Sequence, residues 1–167
     1  ERTRKYTERI KNDGIYIHNI RFARSPFSPK NIKAYRELKR IIDSERFDLI
    51  HCHTPAVSFM TRVAARKARR QGTVVMYTCH GFHFHNSSSK KNWLLYYPAE
   101  KFLSRFCDYI VTINKEDFNR AKTFHCKNVR YIPSVGVDIN RIKALKINKA
   151  EKRKEIGVPD EKILVIS

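Results

Sequence analysis

Two short stretches of the chain concentrate imidazole and thiol groups: His51-Cys52-His53 and Cys79-His80-Gly81-Phe82-His83-Phe84-His85. Neutral imidazoles at such positions can hydrogen-bond and orient a ligand hydroxyl. Paired with thiolates they can also hold zinc. On an extended strand, however, His51 and His53 share one face while Cys52 points to the other, so the three cannot close on one ion. Cys52, Cys79, Cys107 and Cys126 are scattered, with no C-x-x-C, and structural zinc sites show two tight ligand pairs. No metal is therefore expected. The four cysteines read as reduced thiols of a cytoplasmic protein, Cys52 and Cys79 buried on strands.

The elements that must position these residues follow from periodicity and turn chemistry. Residues 1–12 have a helical pattern ending before Gly14, and Ile15, Ile17 and Ile20 suggest a short strand. A loop at 25–29 leads into a helix near 31–44, with Ile32, Tyr35, Leu38, Ile41 and Ile42 as its apolar stripe. Residues 47–52 and 73–79 are apolar, β-branched runs typical of strands covered on both sides. Between them lies a helix opened by Thr54-Pro55 and ending near Gly72. A polar-tipped loop should span 80–92, and a helix 98–106 should turn Phe102, Leu103 and Phe106 inward. Strands at 108–113 and 129–132 flank a helix from Lys115, for which Asn114 is a good N-cap and Glu116 and Asp117 suit the first turn. Helical patterns at 138–145 and 149–156 and a final strand at 162–167 complete the chain.

This alternation is that of an α/β domain, a Rossmann-like parallel sheet with helices on both faces. Open sheets of this kind bind ligands outside the carboxyl ends of their strands. Those ends are 51–55, 79–85, 113–117 and 133–138.

The runs FDLIHCHTP, YTCHGFHF, NWLLYYPAEKFLSRFCDYIVTINKEDFNRAK and VRYIPSVGVDINRIK resemble bacterial family-4 glycosyltransferases of capsule and exopolysaccharide synthesis. The resemblance covers about residues 20–145. It implies the GT-B arrangement of two Rossmann-like domains, with residues 1–145 as an incomplete N-terminal, acceptor-side domain and 146–167 as a linker and first strand of the next. It also implies retaining, metal-independent transfer from a nucleotide-sugar donor to an acceptor that is often lipid-linked. His80 matches the histidine that reaches the donor sugar, and His53 the second histidine of an H-x-H segment lining the same cleft. Thr54, Gly81, Phe82 and Gly136 complete the implied substrate-binding set. The loop Pro133–Asp138 departs from the commoner Asn-Gly form of the family. His51 reads as packing, and Glu116 and Asp117 as helix capping. An isolated chain lacking a nucleotide-gripping second domain is expected to be inactive.

With 167 residues, 41% apolar and 31% charged, the chain is long enough for a real core and too apolar for disorder. Lys and Arg number 35 against 16 Asp and Glu, a net charge of +19 that calls for an anionic partner. No apolar run approaches the ~18–20 residues of a membrane span, and the five glycines form neither G-x-G-x-x-G nor a P-loop. Arg62, Arg66, Lys67, Arg69 and Arg70 crowd one helix without an acid, seven basic residues lie between Arg141 and Lys154 against Glu151, and Lys90 and Lys91 precede Trp93-Leu94-Leu95-Tyr96-Tyr97. Such mixtures suit an anionic bilayer at the cytoplasmic leaflet. The alternative is that Trp93, Leu94 and Tyr97 pack under the next helix. A basic nucleic-acid-binding module is the rival reading of the charge, but no helix-turn-helix, RNP-like strand or zinc finger supports it.

Overall fold

A computed structural model describes residues 13–23, 28–133, 138–159 and 161–164. The chain divides into two compact units, Glu1–Ser134 and Val135–Ser167.

The first unit is built on four parallel strands in the order β1 (Leu49–His53), β2 (Val74–Cys79), β3 (Tyr109–Thr112) and β4 (Asn128–Tyr131). Helix α1 (Asn31–Ser44) precedes β1; α2 (Pro55–Ala64) and α3 (Arg66–Arg70) join β1 to β2; α4 (Lys90–Leu103) joins β2 to β3; α5 (Lys115–Ala121) joins β3 to β4. The class is the Rossmann-like α/β that the alternation implied. Because all strands run the same way, their carboxyl ends form one edge.

Strand alternation sorts the side chains. Cys52, Val75, Tyr77, Cys79 and Ile110 lie on one face and are buried with Ala64, Ala65 and Ala68 of α2 and α3 and with Ala121 of α5. The opposite face carries His51, His53, Met76, Thr78, Tyr109 and Val111, with Leu49 and Tyr109 exposed. All four cysteines are free and buried. Burial pushes the Cys52 thiol up to about 11 and the Cys79 thiol up to about 12, so both stay neutral near pH 7.

Several expectations need correction. Residues 15–20 form no strand: Ile15, Tyr16 and Ile17 are exposed and pair with no neighbour among the described residues. The long helix after Thr54 breaks at Ala65 into α2 and α3. The helix placed at 98–106 begins eight residues earlier, at Lys90, and runs through Pro98. Ser89 starts it, its hydroxyl accepting from the Asn92 N–H. Inward packing of Trp93 and Tyr97 then outweighs the cost of an internal proline. Phe102, expected inside, is 53% exposed. Residues 163–164 carry no strand, and the helix expected at 1–12 and most of the strand expected at 162–167 lie outside the described residues.

The second unit contains two short helices, α6 (Ile139–Ala144) and α7 (Lys149–Glu155). Asp138 caps the first by accepting from Arg141 N–H, and Asn148 caps the second by accepting from Ala150 and Glu151 N–H.

Candidate functional site

The carboxyl edge of the sheet brings three histidines together. His53 closes β1 and His80 immediately follows β2; the register that pairs His53 with Thr78 sets the two imidazoles side by side. His53 Nδ1 and His80 Nε2 are 2.9 Å apart, a hydrogen bond in which one ring donates and the other accepts. His51 stands one pleat back on the same face, its ring 4.1 Å from that of His53, and its Nε2 is 2.8 Å from Thr78 Oγ1. Burial lowers the His51 pKa below the ordinary histidine value, and any charge on His53 or His80 lowers it further. His51 is nonetheless exposed rather than packed as expected, its ring held by Thr78 and by the neighbouring His53 ring.

The backbone around the pair is unusual. Thr54, between β1 and α2, has φ 63° and ψ 140°, a conformation that costs a β-branched residue strain. Gly81, directly after His80, has φ 146°, and a Cβ there would meet nothing within 4 Å. The space beside His80 is open, and the left-handed φ favours glycine. Phe82 is different from its expected role. Its side chain is only 4% exposed, stacked 4.8 Å from Phe84 and tilted 5.5 Å from Phe124, so it belongs to the core. Gly136 lies outside the described residues.

What holds the loop 80–89 is a pair of carboxylates on α5. Asn114 caps that helix, its Oδ1 accepting from Asp117 N–H at 2.8 Å. Asp117 is buried, and its Oδ2 accepts from Asn114 Nδ2 at 2.7 Å and from the Phe82 N–H at 3.2 Å. Glu116 accepts from the Asn86 N–H at 2.8 Å and pairs with Arg120. The Asn86 N–H and the Arg120 guanidinium hold the Glu116 carboxyl below its usual range. Asp117 and Glu116 thus do more than complement a helix end: they tie the segment after His80 at two points. The sequence signal for this was Asn114-x-x-Asp117, a capping-box spacing whose carboxylate has a spare acceptor site. Ser88 Oγ, accepting from His85 N–H and donating to His83 O, and Trp93 Nε1–H donating to His85 O add to the loop's order.

The basic residues separate into exposed and structural. Arg62 is not part of any surface: it is fully buried, 2.8 Å from Glu100, stacked 4.4 Å over the Tyr77 ring and bonded to Ser58 O. The acid that neutralises it comes from α4, 38 residues away in sequence. Arg69 clamps Asp108 Oδ1 through Nε and Nη2 at 2.9 and 2.7 Å, while Asp108 Oδ2 accepts from the Val75 N–H. Trp93 packs inward against Phe84 and Tyr97. Arg66, Lys67, Arg70, Lys90 and Lys91 are exposed.

These features define a Rossmann-like unit whose hydrogen-bonded histidine pair stands at the carboxyl edge of a parallel sheet. The chain belongs to glycosyltransferase family 4: the family's sequence model, described as "Glycosyltransferase Family 4", matches residues 2–141. EpsD of Bacillus subtilis (strain 168), provisionally named a glycosyltransferase, is 43% identical over 151 residues, covering 89% of this chain and 40% of the relative. The Escherichia coli UDP-Gal:alpha-D-GlcNAc-diphosphoundecaprenol alpha-1,3-galactosyltransferase is 27% identical over 130 residues, covering 76% of this chain and 33% of the relative. The chain thus spans well under half the length of either. No helix among the described residues is long and apolar enough to cross a membrane.

Proposed function

We propose that the protein to which this chain belongs transfers a sugar, with retention of configuration, from a nucleotide-sugar donor to a lipid-linked saccharide in cell-surface polysaccharide synthesis. The observation that carries this reading is the placement of His80. Its Nε2 is engaged by His53, which leaves Nδ1 as the nitrogen for a ligand, beside the bare Gly81. An imidazole held this way can hydrogen-bond a sugar hydroxyl and hold the ring in a reactive orientation. His80 is the catalytic residue in this reading, His53 its positioning partner, and Thr54 and Gly81 the backbone around the bound sugar. In this reading the transfer is metal-independent, as the family resemblance implies. The E. coli relative's name supplies the chemical class of donor and of a diphosphoundecaprenol-borne acceptor. The enzyme then works as a peripheral protein on the cytoplasmic face, where its acceptor's headgroup lies.

The test uses the full-length protein with a panel of nucleotide-sugars, UDP-galactose among them, and a polyprenyl-diphosphate saccharide. Transfer should survive EDTA, and NMR of the product should show the donor's anomeric configuration. His80→Ala should lower kcat about 100-fold. Full activity in His80→Ala, or an inverted product, would overturn the reading.

A further inference from the structure

Helix α4 has two apolar sides. The inner side, Trp93, Tyr96, Tyr97 and Leu103, packs on the core. The outer side is a stripe at helical spacing: Lys91, Leu94, Leu95, Pro98, Phe102 and Arg105 are all exposed. Leu94 is 82%, Leu95 48% and Phe102 53% exposed. A surface helix ordinarily turns polar residues outward, and a contiguous apolar stripe rimmed by charge marks an interaction surface.

The charge around the stripe has one sign. Between residues 89 and 106 the basic groups are Lys90, Lys91, Lys101 and Arg105, and the sole acid is Glu100. Glu100 is buried against Arg62, so no carboxylate of α4 faces outward. Two cations lie along aromatic rings, Lys101 Nζ 5.7 Å from the Tyr97 centroid and Arg105 Cζ 5.6 Å from that of Phe102. Such stems can cover apolar surface while the charged heads reach an anionic layer. On α3, Arg66, Lys67 and Arg70 are also exposed, and Arg66 reaches the Phe106 ring just after α4.

We propose that the outer face of α4 docks on an anionic lipid bilayer, Leu94, Leu95 and Phe102 entering the headgroup layer and the flanking Lys and Arg meeting lipid phosphates. Apolar side chains rimmed by Lys and Arg on the exposed side of a helix have the composition of an interfacial helix. This surface would hold the enzyme at the membrane and rests on the proposed function only for the choice of membrane.

The experiment is cosedimentation of the full-length protein with vesicles of phosphatidylcholine alone or with 30 mol% (about one lipid in three) phosphatidylglycerol, without donor or acceptor. Binding to the anionic vesicles and its loss at high salt are expected. Lys90→Gln/Lys91→Gln should weaken partition about 30-fold, from ~1 kcal/mol for each charge lost near the surface. Leu94→Ser/Leu95→Ser should weaken it at least roughly tenfold. Both pairs should unfold at the parent temperature, and Lys33→Glu/Arg40→Glu on α1 should bind nearly as the parent does. Equal binding to neutral vesicles, or unchanged binding by the α4 variants, would overturn the proposal. So would retention on duplex DNA, or a Leu94-dependent dimer in sedimentation, without vesicle binding. Transfer to a water-soluble short-chain acceptor should be unaffected in the α4 variants. Its absence in the parent would count against the catalytic reading and leave the vesicle result standing.

Discussion

His53 Nδ1 lies 2.9 Å from His80 Nε2, joining the ends of two neighbouring strands through their imidazoles. One proton occupies that line, so each ring's tautomer dictates the other's, and whether His80 Nδ1 donates or accepts follows from His53. His53→Leu removes that control. The expected result is a changed ring-nitrogen pattern for His80 in 15N-correlated NMR, with kcat lowered roughly tenfold to hundredfold and KM little altered. His53→Gln, which can still donate to Nε2, should recover part of the loss. A His80 ring spectrum indifferent to His53→Leu would refute the coupling.

Asp117 is the knot between α5 and the loop that carries His80. Asp117→Ala leaves the Phe82 N–H and Asn114 Nδ2 without their acceptor, at a cost of about 2–3 kcal/mol. Urea unfolding should register that loss. Hydrogen exchange should quicken first at the Phe82 amide and less in β1, and uniform quickening along the chain would contradict a local role.

Arg62 and Glu100 form a buried ion pair between α2 and α4. Removing one partner strands the other, so Arg62→Ala should destabilise by about 3–5 kcal/mol. Replacing both with apolar residues, Arg62→Met with Glu100→Leu, should come within about 1 kcal/mol of the parent or exceed it. Equal losses for the single and double replacements would show that shape, and not charge, dominates here.

Asp108 supplies an acid-sensitive clamp. Burial pushes its carboxyl up, but the Arg69 hydrogen bonds, the Val75 N–H and the Arg69 charge outweigh that and hold it below the ordinary value. The unfolded chain therefore binds the proton more readily, and this stability is complete above the unfolded pKa of ~3.9 and lost as pH falls through the lower folded value. Urea midpoints measured from pH 6 downward should fall less steeply below about pH 4 in Arg69→Gln than in the parent. Identical slopes would show that the clamp is not acid-linked.

Much of this was legible in the residues. Strands rich in β-branched and apolar types, Asn114 as a cap, Gly81 after a strand, and His51 and His53 on one face all follow from local rules with periods of two or about 3.6 residues. The errors share a cause. Arg62 was read as surface because its own helix carries no acid; its partner sits on α4. Phe82 was placed in the substrate-binding set by the family resemblance, yet its side chain is buried beside Phe84 and Phe124. Residues 15–20 alternate like a strand but find no ladder.

By itself, then, the sequence determined the α/β class, the strand ends where chemistry belongs and the family resemblance carried by four loops. Only the tertiary structure decided how those residues pair: that His53 addresses His80, that Asp117 ties its loop, and that Trp93 turns inward while Leu94 turns out. Local pattern records what each residue prefers within a turn or two of backbone. Contacts across 27 to 38 residues, such as His53 with His80 or Arg62 with Glu100, depend on register and packing that exist only once the sheet has formed.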